Sequence, residues 1–252
     1  MTSELGPTAP CRADMLGIPV DRLTMAAALD WADRQLARGT TPQAVIAVNP
    51  EKVTKAWRDP VLARQLADAG LLLPDGIGVV LAARLLGIGR FERVPGSEFM
   101  PALCALAARR GSRVYLFGAR PDVVDRVRTR LLADYPGIAI AGAQHGFVSN
   151  DEMPGVVARI NEAGTDIVFL ALGSPRQEQW MARYLPHLRV KICQGVGGTF
   201  DVLAGVVKRA PVVWRRVHLE WLYRLLAEPA RWRRQTALPE FAYHVLRKAV
   251  AG

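Results

Sequence analysis

An α/β fold, with a mostly parallel sheet flanked by helices and a basic helical appendage at its C-terminal end, is predicted by three observations on this 252-residue chain. From about residue 43, short apolar or β-branched runs alternate with longer stretches of helical periodicity, which is the pattern of strand–helix–strand units. Prolines stand at expected helix starts, in Asp59-Pro60, Arg120-Pro121 and Ser174-Pro175, where a first-turn residue needs no N–H of its own. After Ala210-Pro211 the alternation stops and only helical patterns remain, which divides the chain into a core, 1–209, and an appendage, 210–252.

In chain order, Ala44–Val48 is the first expected strand, a β-branched and small apolar run. A helix opens at Asp59-Pro60 and closes before Gly70, which stands where a C-terminal cap belongs. Gly70–Leu73 is the next strand. The apolar stretch Leu71 to Ile88 is interrupted by Pro74, Asp75, Arg84 and glycines, so it reads as a buried strand followed by a helix and not as a membrane span. Gly111 caps another helix, and Arg113–Phe117 follows as a strand. The helix opened by Arg120-Pro121 leads to a strand at Ile138–Ala143, and Asp166–Leu172 is a fifth. The helix opened by Ser174-Pro175 precedes the last strand, Val190–Gln194.

Composition excludes several classes. Half of the residues are hydrophobic and 22% are charged, enough for a full core and unlike a disordered chain. Residues Met1 to Met15 carry Glu4, Arg12 and Asp14 and lack the apolar run of a secretory signal, so a cytoplasmic location is expected. Cys11, Cys104 and Cys193 are odd in number and widely spaced, which suggests neither a disulfide framework nor a zinc site. His145, His187, His218 and His244 show no metal-ligand spacing, and no bound metal or other cofactor is expected.

The net charge of +10 is concentrated at one end. Residues 208–252 hold ten Lys and Arg against Glu220, Glu228 and Glu240, a net +7, together with Trp214, Trp221 and Trp232. Such interleaving fits an interfacial helix on anionic lipid or a phosphate-binding element. Arg216, Glu220, Arg224 and Glu228 recur every four residues as a charge ladder, which by itself is a solvated stripe. Trp214, Val217, Trp221 and Leu225 form a second stripe, and by composition alone such a stripe suits packing on a core better than it suits lipid.

Ligands of open α/β sheets bind outside the carboxyl ends of the strands. Those places hold Asn49, Asp75, Gly118, the run Gly173-Ser174-Pro175-Arg176-Gln177-Glu178, and the run Gly195-Val196-Gly197-Gly198-Thr199-Phe200-Asp201. Asp75, flanked by Pro74 and Gly76, has the setting of a general base with room for a hydroxyl to approach, although by pattern alone the cap of the next helix is the commoner role for such an Asp. Ser174 and Gln177 have the spacing of a capping box, and the same helix start offers N–H groups to a diphosphate or a sugar. The glycines at 195, 197 and 198 partly match a dinucleotide fingerprint, but Phe200 replaces the third glycine and Arg215 and Arg216 stand where an acid belongs, which disfavours an NAD-binding oxidoreductase and leaves NADP a weak alternative.

Taken together these segments resemble the WecG/TagA/CpsF family, glycosyltransferase family 26, from Ala44 to about Arg234. The match rests on Asn49-Pro50-Glu51-Lys52-Val53, Pro74-Asp75-Gly76-Ile77-Gly78, Arg93-Val94-Pro95-Gly96-Ser97-Glu98, Leu116-Phe117-Gly118, the two runs above, and Arg209-Ala210-Pro211 with Leu219-Glu220-Trp221 and Arg224. The resemblance implies a Rossmann-like core and a metal-independent, inverting transfer of N-acetylmannosamine, its uronic acid or glucuronate from UDP to a polyprenyl-diphosphate-linked glycan, for teichoic acid or another surface polysaccharide. It implies Asp75 as the base, Asn49, Arg93 and Gln177 in the pocket, and Asp201 near the nucleotide. It further implies an appendage that docks peripherally on the inner face of the cell membrane and supplies Arg216, Arg224 and Arg231 to the site. Ala47 stands where the family often has Thr, and Glu98 where it usually has Asp, so both bear on sugar specificity.

A nucleic-acid binder is the rival of a different class, because a basic tail with tryptophans could stack bases. That reading accounts for the tail and leaves the strand-end residues unexplained, so no nucleic-acid partner is expected. Whether the core forms a homo-oligomer is left open by the sequence.

Overall fold

The structure, a computed structural model, describes residues 11–207, 210, 211, 214, 222, 223, 225, 232 and 236–251. It opens with an antiparallel hairpin, β1 (Cys11–Met15) and β2 (Ile18–Arg22), that the sequence reading did not anticipate. Leu16 and Gly17 make its turn with φ of 57° and 85°, the geometry of a two-residue primed turn, but Leu at the first place lacks the Asn or Asp that usually announces one. Buried Asp21 ties the hairpin to the main sheet: Leu72 N–H donates to Oδ2 at 2.8 Å and Arg12 Nε to Oδ1 at 3.0 Å.

Helix α1 (Met25–Arg38), capped by Thr24, leads into a six-stranded sheet in the order β4-β3-β8-β7-β5-β6, every pairing parallel. The strands are β3 (Gln43–Val48), β4 (Leu71–Pro74), β5 (Arg113–Gly118), β6 (Ala139–Gln144), β7 (Ile167–Ala171) and β8 (Ile192–Gly195). Five of these six overlap an expected strand to within one residue at each end, and β8 begins two residues later than expected. Helices α2 (Pro50–Ala56), α3 (Pro60–Asp68), α4 (Ile77–Leu85), α5 (Gly96–Arg110), α6 (Pro121–Asp134), α7 (Met153–Glu162), α8 (Arg176–Tyr184), α9 (Thr199–Leu203) and α10 (Ala237–Ala251) cover both faces. Ile46, Leu72, Phe117 and Leu170 point into one core, and Val45, Leu71, Leu116 and Phe169 into the other. Burial on both sides is why the central strands read as unbroken apolar runs instead of alternating ones.

Pro60 opens α3 as expected, and Asp59 caps it, its Oδ1 accepting from Val61 N–H and Leu62 N–H at 3.0 Å. Gly111 ends α5 in the left-handed region, φ 68°. Gly70 is not a left-handed cap: Ala69 ends α3, and Gly70 is required because a Cβ there would strike Gln43 and Trp31. The Ser174-Pro175 pair precedes α8, which starts at Arg176.

From the carboxyl end of β3 the chain enters α2 on one face of the sheet, whereas from the end of the neighbouring β8 it enters α9, whose Phe200 belongs to the opposite core. The diverging exits open a crevice there. Helix α10 packs against α2 and α4 over this crevice, with Phe241 and Val245 in the same core as Val53 and Val80, and the His244 ring 4.6 Å from that of Trp57. Among the described residues, no helix is long and apolar enough to cross a membrane.

Candidate active site

The crevice holds a cavity of about 680 Å³. Its floor is the carboxyl ends of β3, β4 and β8, and four of the residues singled out in the sequence, Asn49, Asp75, Arg93 and Gln177, line it together. Asn49 also caps α2, its Oδ1 accepting from Lys52 N–H at 2.8 Å. Its role in the helix therefore fixes where its remaining polar groups lie.

Asp75 is not a helix cap. Gly76, at φ 90°, takes the cap position of α4, which has no side-chain cap bond. The strand instead holds Asp75 through its backbone, N–H to Val48 O at 2.8 Å, and Gly96 N–H at the start of α5 reaches its Oδ2 at 3.5 Å. A carboxylate on a strand end, over a cavity, and beside a glycine N–H is placed to take a proton from a bound hydroxyl. Arg93 approaches Glu98 at 3.3 Å on the same wall.

Gln177 does not form the capping box either. Its Oε1 accepts from Gly197 N–H at 3.1 Å and its Nε2 donates to Glu178 Oε1 at 3.0 Å, so the carboxamide is used sideways and cannot fold back on Ser174. The same Glu178 oxygen takes Lys52 Nζ at 2.5 Å, a pair with side chains 1% and 7% exposed. Burial pushes the Glu178 carboxyl up, but the Lys52 charge and the hydrogen bonds from Lys52 and Gln177 outweigh burial and hold it below its ordinary value. Glu178 is thus an anion inside the protein.

Gly118 and Asp201 are outside the cavity lining. Gly118 ends β5 at φ 125°, where a Cβ would come within 2.5 Å of the Ala171 backbone, so this glycine lets β5 and β7 approach. Asp201 lies in α9. Arg216, Arg224 and Arg231 fall outside the described residues. Phe200, where a dinucleotide fingerprint has its third glycine, is fully buried in the core. Among the described residues, no group of three or more His, Cys, Asp or Glu could hold a metal ion.

The sequence reading missed two parts of the site. One is the Lys52–Glu178 pair, whose members stand in quoted motifs without any local sign that they meet. The other is the apolar wall, formed by Leu81 and Leu85 of α4 and by Leu238, Phe241, Val245 and Leu246 of α10. Leu81, Leu85 and Leu246 are 47%, 59% and 57% exposed, so the wall runs from the cavity out to solvent.

The model of the family described as "Glycosyl transferase WecG/TagA/CpsF family" matches residues 13–252. An N-acetylglucosaminyldiphosphoundecaprenol N-acetyl-beta-D-mannosaminyltransferase of Bacillus spizizenii strain W23 is 38% identical over 81% of this chain and 78% of its own. The protein of the same name from Bacillus subtilis strain 168 is 34% identical over 92% of this chain and 90% of its own.

Proposed function

Since the chain belongs to the WecG/TagA/CpsF glycosyltransferase family and is a hexosyltransferase, we propose that it moves N-acetylmannosamine from UDP to the N-acetylglucosamine of a polyprenyl-diphosphate acceptor. The sugar and acceptor are those named for the two relatives. The observation that carries the reading is the placement of the Asp75 carboxylate in a cavity shared with Asn49, Arg93 and Gln177 and walled on one side by apolar side chains that continue to the surface. A polar pocket with an apolar exit suits a substrate that is a sugar diphosphate at one end and a hydrocarbon at the other.

In the proposed reaction, Asp75 takes the proton of the acceptor hydroxyl while that oxygen attacks the anomeric carbon from the face opposite UDP. The new glycosidic bond forms as the bond to the diphosphate breaks, the electron pair leaves with UDP, and the configuration inverts. Arg93 and the Gln177 amide supply hydrogen bonds, and Asn49 orients the sugar. Gly118 and Asp201 belong to the nucleotide end, beyond the lining of the cavity. The leaving diphosphate needs positive charge, which Arg216, Arg224 and Arg231 of the basic tail provide, because guanidinium binds phosphate through two parallel hydrogen bonds. The tail, 210–252, also holds the enzyme on the anionic inner face of the cell membrane, where the acceptor resides.

Mass spectrometry of a lipid-diphosphate N-acetylglucosamine acceptor incubated with a panel of UDP-sugars tests the reading. The expected product carries one added N-acetylhexosamine from UDP-N-acetylmannosamine. Transfer from another UDP-sugar in its place would reassign the donor, and no transfer from any of them would sink the proposal.

A further inference from the structure

Glutamine carries two N–H donors and two acceptor lone pairs, and which end of the amide faces which neighbour has to be read from the partners. At Gln177 both partners give the same answer. The Gly197 N–H donates and must meet Oε1, at 3.1 Å, whereas the ionised Glu178 carboxylate accepts and must meet Nε2, at 3.0 Å. Gly195 lies beneath the amide, where a Cβ would sit 2.7 Å from Gln177 Nε2. The group is therefore clamped on three sides, and one N–H and one lone pair are left.

The clamp is unusual in its construction. Glu178 Oε1 takes hydrogen bonds from both Lys52 and Gln177, but Glu178 Oε2 is buried with no hydrogen-bond partner. A buried carboxylate left half satisfied is a poor stabiliser, and apolar residues of similar volume commonly serve stability as well or better. What the pair supplies is orientation. Lys52 stands three residues beyond the cap Asn49 on α2, and Glu178 one beyond Gln177 on α8, so the bridge of 2.5 Å also joins the two helix starts that frame the cavity.

We infer that Lys52 and Glu178 are positioning residues that hold the Gln177 carboxamide in one of its two orientations, so that Gln177 meets the substrate as a fixed N–H donor. The inference rests on the proposed role of Gln177 and goes beyond it by naming what fixes the amide. Without the bridge Nε2 loses its acceptor and the Gly197 N–H alone holds the amide, so orientations that present the carbonyl oxygen to a diphosphate or a sugar oxygen, which repel it, become populated.

The test uses the full chain with Lys52→Met and Glu178→Leu together, since either change alone leaves one buried charge without its partner. With glutamine nitrogens labelled, the Gln177 side-chain amide should show slowed hydrogen exchange in the wild type and markedly faster exchange in the double variant. Turnover of the double variant should fall about 10–100-fold, by analogy with the loss of groups that orient metal ligands. The same two changes added to Gln177→Ala should lower it less than about twofold further, because the residues act through one another. Full multiplication of the losses, or an amide signal unchanged by the double variant, would overturn the inference. If Gln177→Ala alone keeps full turnover, the proposed role of Gln177 fails, and the exchange measurement still decides the positioning. Should the double variant not fold, Glu178→Asp, which withdraws the oxygen by one methylene and keeps the charge, is read by the same two measurements.

Discussion

Arg58 and Glu240 form a two-pronged ion pair, Nη2 to Oε1 at 2.5 Å and Nη1 to Oε2 at 3.1 Å, between the segment just after α2 and the first turn of α10. One residue further along α10, Phe241 is buried in the core. The two contacts are expected to matter very differently. Arg58 is 69% exposed, so Glu240→Ala should lower stability by less than about 1 kcal/mol. Phe241→Ala removes a packed ring and should cost about 3–5 kcal/mol. Urea unfolding of the two variants checks the ranking, and equal losses would mean that α10 is held by charge instead of packing.

Asp75→Asn should leave folding and UDP binding nearly intact and lower turnover by about two to four orders of magnitude, the span for loss of a general base. Near-normal turnover would place the base elsewhere. Binding of UDP followed by calorimetry separates loss of chemistry from loss of the pocket.

The Glu178 carboxyl titrates below its ordinary value of 4.5 in the folded protein. A depressed acid contributes stability that is complete above its unfolded value and is lost as the pH falls through the lower folded value. Wild type should therefore lose stability below about pH 4.5 more steeply than the Lys52→Met, Glu178→Leu variant, which has no such group. Burial pushes the Asp21 carboxyl up, and that group acts in the opposite sense in both proteins, so the difference between them isolates Glu178. Parallel slopes in urea titrations from pH 7 to about 3 would contradict this.

Transfer should persist in EDTA, because fixed cations and helix N–H groups are assigned the diphosphate. Activity lost in EDTA and restored by magnesium or manganese would require a metal-assisted departure of UDP.

Much of this architecture is legible in the sequence because it follows from short-range rules. Runs such as Ile167–Ala171 are apolar throughout because both faces of the sheet are covered, and prolines 60 and 121 mark helix starts. What escaped depends on distant neighbours. Gly70 looks like a cap, yet its reason is the crowding by Gln43 and Trp31. Ser174 and Gln177 have capping-box spacing, but Gly197 and Glu178 claim the amide first. Asp75 could have capped α4 had Gly76 not turned the chain with φ 90°. Lys52 and Glu178 are 126 positions apart, and nothing local to either shows that it is half of a pair. Of the site residues, those on strand ends were readable by position alone, whereas the apolar wall supplied by α10 was not, because the family resemblance brought only arginines of the appendage to the site.

That returning wall has a consequence for synthesis. The floor of the cavity is translated early, with Asn49 and Asp75, but Leu238, Phe241, Val245 and Leu246 are translated more than 150 residues after Asp75. During elongation the sheet can assemble on the ribosome while the crevice still gapes, with Val53 and Val80 uncovered on that side. The nascent chain thus carries an open apolar seam until its closing helix clears the exit tunnel, and the pocket acquires its second wall only when that helix packs.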